Sequence, residues 1–76
     1  MTIYDLQKND TGIITALSGG REFKMRLSSL GVVKGAEFKL KAVTIQRNTF
    51  EIEINNSKIA LRRGEVLKIE VEKCAG

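Results

Sequence analysis

The sequence contains no histidine. That excludes a histidine general base, a Ser-His-Asp arrangement and every imidazole metal ligand. It contains one cysteine, Cys74. One thiol cannot close an internal disulfide, and it cannot build a thiolate-rich zinc site, which needs several ligands at fixed spacing. A free surface thiol is the expected state of Cys74, and an intracellular location the natural reading. Tryptophan is absent, and the aromatics are only Tyr4, Phe23, Phe38 and Phe50. That is a poor supply for the stacking platforms of single-strand nucleic-acid binders or the aromatic groove of a polyproline-binding module. No apolar run approaches the ~20 residues of a bilayer span. The start, Met1-Thr2-Ile3-Tyr4-Asp5, lacks the basic and apolar regions of a secretory signal. There is no internal repeat, low-complexity segment or linker.

What is present describes a small globular protein. The 76 residues suffice for one domain, 1–76, with residues 74–76 expected as a loose tail. A domain of this size buries roughly 60% of the surface its unfolded chain exposes, so its core is thin. Hydrophobic residues at 42% and charged residues at 29% fit a soluble chain rather than a disordered one. Thirteen basic and nine acidic side chains leave a net charge of +4. A basic balance admits nucleic acid or an acidic protein as partner. The signs are interspersed, however, and Glu51, Glu53, Glu70 and Glu72 break up any basic face.

The apolar pattern is mostly of period two. Thr11 to Leu17 is apolar and β-branched. In Glu37 to Thr44, Phe38, Leu40 and Ala42 alternate with Glu37, Lys39 and Lys41. In Thr49 to Ile54, Phe50, Ile52 and Ile54 alternate with Glu51 and Glu53. Ile59 and Leu61 continue one face, and Leu67, Ile69 and Val71 alternate with Lys68, Glu70 and Glu72. Such alternation predicts antiparallel strands with one buried face each. Gln46-Arg47-Asn48 reads as a turn, and Asn55-Asn56 as a hairpin turn, because Asn tolerates left-handed φ. Only one segment has helical spacing. Phe23, Leu27 and Leu30 recur at i, i+4 and i+7 within about Glu22 to Leu30, which predicts a helix with these three on the core. Gly31 stands where a helix stop needs positive φ, and Gly35 where a turn leads into the next strand. The expected fold is mainly β: a small antiparallel barrel of about five strands with one inserted short helix.

Candidate chemistry is sparse. The carboxylate pairs Glu51/Glu53 and Glu70/Glu72 each share a strand face and could hold a hard cation loosely, but cross-strand pairing with Lys39 and Lys41 is the simpler expectation. Gly19-Gly20 before the helix lacks the Lys-Ser/Thr of a P-loop and the third glycine of a dinucleotide fingerprint, so it reads as a connecting turn. Arg62-Arg63 suits a phosphate or carboxylate, because guanidinium forks bind such groups bidentately, or an exposed pair making surface ion contacts. No catalytic constellation, metal site or cofactor site emerges.

Two phrases carry a family resemblance. Arg26-Leu27-Ser28-Ser29-Leu30-Gly31-Val32-Val33-Lys34-Gly35 resembles an Arg-Leu-x-x-Leu-Gly-hydrophobic-x-x-Gly stretch, and Ile59-Ala60-Leu61-Arg62-Arg63 a late strand preceding an acidic residue, here Glu65. With Asp10-Thr11-Gly12 and Ile14 at the first strand, they resemble the FeoA family across nearly the whole chain. Members often carry prolines near residues 44–49, where this chain has none. The resemblance implies an SH3-like barrel with an inserted helix, a module also seen as a C-terminal domain of iron-dependent repressors. It further implies a non-enzymatic, cytoplasmic accessory of ferrous iron uptake that binds and modulates FeoB, the membrane transporter with a GTPase domain. It implies family-level transition-metal binding as well, which these residues support little. On this reading the partner-binding residues are Arg26, Ser28, Ser29, Gly31, Lys34, Arg62 and Arg63, and the structural motif is Leu27, Leu30, Gly31, Gly35 and Leu61. An RNA-binding or ribosome-associated SH3-like barrel, then a peptide-binding adaptor or metal-responsive domain, are the alternatives.

Overall fold

The computed structural model describes residues 1–74. A 3-10 turn at Ile3–Asp5 precedes β1 (Thr11–Leu17), α1 (Arg21–Ser29), β2 (Glu37–Val43), β3 (Thr49–Ile54), β4 (Ser57–Arg62), the four-residue α2 (Arg63–Val66) and β5 (Ile69–Lys73). The strands form one antiparallel sheet in the order β4-β3-β2-β1-β5. The expected mainly β, SH3-like fold with an inserted helix is what the chain adopts, although among the described residues no β4–β5 pairing closes the sheet. The opening is covered instead. Ile3 and Leu6 are fully buried, α2 packs on the 3-10 turn, β3 and β4, and the amide of Val71 donates to Met1 O at 2.8 Å. Leaving fewer strand groups unpaired blunts the sheet edge.

Alternation places the core. Ile14, Phe38, Leu40, Phe50, Ile52, Ile54, Leu61, Ile69 and Val71 all face inward. The expected face of β2 breaks after Leu40, where the register against β3 slips and leaves Lys41 as the extra residue. A bulge reverses the side-chain phase. Ala42 is therefore exposed, and Val43 packs against the core in its place. The same bulge removes Lys41 from direct opposition to a glutamate. Lys39 lies opposite Glu53, but no ion pair joins them among the described residues.

The helix forms close to its expected span, yet Leu30 does not join the core. It is 44% exposed, whereas Leu27 is fully buried and Phe23 packs half-buried against the core. The helix ends at Ser29, and Leu30 is its cap with ψ near 0°. Gly31 turns to φ +90°, its amide donates to Ser28 O at 3.0 Å, and that of Val32 to Leu27 O at 2.9 Å. This is a Schellman termination. It swings the chain so that Val32, not Leu30, enters the core. Leu67 departs from expectation in the same way. It caps α2 in a helical conformation, is 49% exposed, and the strand begins only at Ile69.

Cys74 is half-buried and its amide donates to Thr11 O at 2.9 Å, so the expected loose tail does not begin there. Residues 75–76 of that expectation lie outside the described residues.

Candidate functional site

Of the residues in the two sequence phrases, Arg26, Arg62 and Glu65 meet in one pocket. The Ser18-Gly19-Gly20 loop leads into α1 and lies against Lys68. Gly19 has φ +108°, and a Cβ there would stand 3.0 Å from Phe23 Cδ2 and 3.2 Å from Lys68 Cδ. Only glycine accepts both the backbone conformation and that approach. The Ser18 amide and hydroxyl both donate to Lys68 O, at 2.8 and 3.2 Å, tying the helix entry to the start of β5. The Lys68 ammonium then lies 5.1 Å from the centroid of the Phe23 ring, and the Arg26 guanidinium lies over the same ring at 5.9 Å. The negative face of an aromatic ring attracts cations at such distances.

Glu65 organises the other side. Its Oε1 accepts from the amide of Arg62 at 2.9 Å, and its Oε2 pairs with the Arg26 guanidinium. The carboxylate thus holds the first turn of α2 and tethers α1 to it. Arg26, Arg62, Gly64, Glu65 and Lys68 line a shallow pocket of about 580 Å³. Three cations face one carboxylate there, and both oxygens of that carboxylate are engaged. Among the described residues, neither the Arg62 guanidinium nor the Lys68 ammonium has an ion-pair partner.

The structure brings Arg26 and Arg62 together but separates Arg63 from them. Arg63 Nε and Nη2 donate to Arg47 O at 3.2 Å and Gln46 O at 2.8 Å. Although exposed, Arg63 pins the β2–β3 turn rather than pairing with Arg62 for a ligand. The strand ends at Arg62, and the helical turn that follows sends the next side chain elsewhere. Ser28, Ser29 and Lys34 are exposed around the helix exit, and the Ser29 hydroxyl donates to Arg26 O at 2.7 Å. Gly31 sits against the β3–β4 turn, where a Cβ would stand 2.5 Å from Asn55 Nδ2. Gly35 takes φ +91° and its amide donates to Ile14 O at 2.7 Å, while Leu61 is buried beneath the pocket-lining strand end.

Arg47 has no counterpart among the sequence candidates. It occupies the left-handed region at φ 56°, with its guanidinium 4.8 Å from the Tyr4 centroid and 5.2 Å from that of Phe50. It donates to Tyr4 O and Leu6 O. A surface arginine in a predicted turn carries no signal that it will lie across two rings contributed by distant segments. With Arg47 on Tyr4, and Arg26 and Lys68 on Phe23, both half-buried rings are occupied; Phe38 and Phe50 are buried. No aromatic platform of the kind RNA stacking or polyproline binding needs is available among the described residues. Nor do three or more carboxylate or thiol groups converge in a potential metal cluster among them. No helix of the described residues is long and apolar enough to cross a membrane.

Comparison with known proteins agrees on one group. The profile of the FeoA domain matches residues 1–73. A Campylobacter jejuni protein named as an Fe(2+) transport protein A is 32% identical over 71 residues, covering 93% of this chain and 96% of that one. The solution structure of the FeoA protein from Chlorobium tepidum superposes with a TM-score of 0.93 at 28% identity, covering 100% of this chain and 72% of that one. A manganese-dependent transcriptional repressor shares the fold alone, with a TM-score of 0.88 at 14% identity over 97% of this chain and 36% of the repressor.

Proposed function

This chain belongs to the FeoA family, and from that premise we propose that it is a non-enzymatic accessory of ferrous iron uptake, acting in the cytoplasm on a FeoB-like transporter. The observation that carries the reading is the family match over residues 1–73, joined by a relative of nearly the same length named for Fe(2+) transport. The side chains suit an accessory better than a catalyst. No histidine is present, and no nucleophile is paired with a base in the pocket at the helix end. The contact surface in this reading is the helix and its exit, Arg26, Ser28, Ser29, Gly31 and Lys34, with Arg62 beside it. Arg63 belongs to its border, since its side chain is engaged with the β2–β3 turn. Such a small surface suits a transient complex with the transporter's GTPase-containing region.

The test is ferrous iron uptake in a strain deleted for this chain. It is complemented with the wild-type chain or with Lys34→Glu/Arg62→Glu. Uptake should fall in the deletion, return with the wild type, and return incompletely with the folded variant. Undiminished uptake in the deletion refutes the accessory role. Full rescue by the variant removes these two cations from the contact.

A further inference from the structure

We infer that the pocket between α1, α2 and the start of β5 is a receptor for a carboxylate, an aspartate or glutamate side chain of the partner protein, seated between Arg62 and Lys68. The inference rests on the accessory reading for the identity of the partner, but its chemistry stands on the pocket itself. Three observations converge. The pocket already holds one carboxylate, Glu65, whose two oxygens meet the Arg62 amide and the Arg26 guanidinium. That internal group neutralises Arg26 and uses both its oxygens doing so, which leaves the Arg62 guanidinium and the Lys68 ammonium without an anion among the described residues. Lys68 is also placed in advance: its ammonium lies 5.1 Å from the centroid of the Phe23 ring. Holding a long cationic side chain before binding reduces the entropy lost when the anion arrives. An excess of two positive charges in a concave site also focuses the field on an incoming anion.

A protein carboxylate is favoured over phosphate by the room and the donors. The pocket is open to solvent, and its unengaged donors are one guanidinium fork and one ammonium, a pattern that a planar carboxylate satisfies with its two oxygens. Gly64 at the rim adds no side chain, and a Cβ there would meet nothing within 4 Å, so a partner backbone can approach closely.

The experiment uses the whole isotope-labelled chain, titrated at low salt with a capped tetraglutamate peptide while the arginine Nε–H and backbone amide resonances are followed. Saturable shifts should centre on Arg26, Arg62, Gly64 and Lys68. Each cation removed from the pocket should weaken binding about two- to fivefold, as expected for solvent-exposed ion pairs. Arg62→Gln alone serves where Arg62→Gln/Lys68→Gln loses its native spectrum. Lys8→Gln/Lys58→Gln, which lowers the net charge equally at two exposed sites outside the pocket, should bind as the wild type does. Shifts scattered over the surface, or equal weakening by the control variant, overturn the site. Inorganic phosphate binding the same residues more tightly than the peptide overturns the carboxylate as occupant. Because the peptide assay contains no transporter, it can fail while uptake still depends on the chain, and it can succeed in a protein whose deletion leaves uptake unchanged. The two readings therefore fail separately.

Discussion

Leu27→Ala and Leu30→Ala should differ by at least about 1 kcal/mol, although sequence spacing puts both residues on one helical face. Leu27 is 0% exposed and is the only fully buried side chain of α1, a helix otherwise held by half-buried Phe23 and the Arg26–Glu65 pair. Truncating a buried leucine removes its transfer free energy and leaves a cavity, together costing about 2–5 kcal/mol. Native domains hold about 0.05–0.15 kcal/mol per residue. For 76 residues this corresponds to roughly 4–11 kcal/mol in total, so the loss is a large fraction of the stability. The midpoint of thermal unfolding should fall by roughly 8–40 °C, taking about 4–8 °C per kcal/mol for a domain of this size. Leu30 is 44% exposed and lies just past the helix, so Leu30→Ala should cost no more than about 1 kcal/mol. Urea unfolding followed by circular dichroism measures both. A cost for Leu30→Ala equal to that of Leu27→Ala would refute the Schellman exit and restore the uninterrupted helical face.

Three further outcomes follow from particular contacts. Arg47→Met should destabilise the chain by about 1–3 kcal/mol in urea unfolding, because it deprives Tyr4 O and Leu6 O of a donor and removes a cation from two rings; a neutral result would mean that water replaces the guanidinium without loss. Gly31→Ala should cost about 1–2 kcal/mol for its φ of +90°, plus whatever moving Asn55 requires. A double-mutant cycle with Asn55→Gly should recover only the second part, and full recovery would show that the backbone is unstrained. Asn56→Gly, at φ 64° in the β3–β4 turn, should be neutral or stabilising by a few tenths of a kcal/mol, and a loss above about 1 kcal/mol by thermal unfolding would contradict a turn with both central residues left-handed.

Local chemistry was enough for the strands, the single long helix and both turns. Period-two alternation commits Phe38, Leu40, Phe50, Ile52 and Ile54 to one side, because successive strand side chains must point oppositely. Asn55-Asn56 and Gly31 likewise follow from which residues accept positive φ. The family phrases are local too, which is why the SH3-like barrel was readable from their order. What local pattern could not carry was phase and partnership. The bulge at Lys41 passes the core position from Ala42 to Val43, and the helix exit passes it from Leu30 to Val32. The burial of Ile3 and Leu6 depends on a sheet that leaves an opening for them.

The candidate site was half readable. Arg26 and Arg62 stand out in the sequence, and Arg63 looks like the natural companion of Arg62 because it is its neighbour. Tertiary structure decided otherwise. A strand that gives way to a helical turn sends adjacent side chains to different surfaces, so Arg63 holds the Gln46 and Arg47 carbonyls while Arg62 faces Lys68 and Glu65. Arg26 lies 36 positions before Arg62 in the chain, and its ion pair with Glu65 brings it to the same pocket. Which backbone a residue adopts is a matter of its own chemistry and that of its neighbours. Which charges share a site depends on where distant segments come to rest, and long-range packing alone determines that.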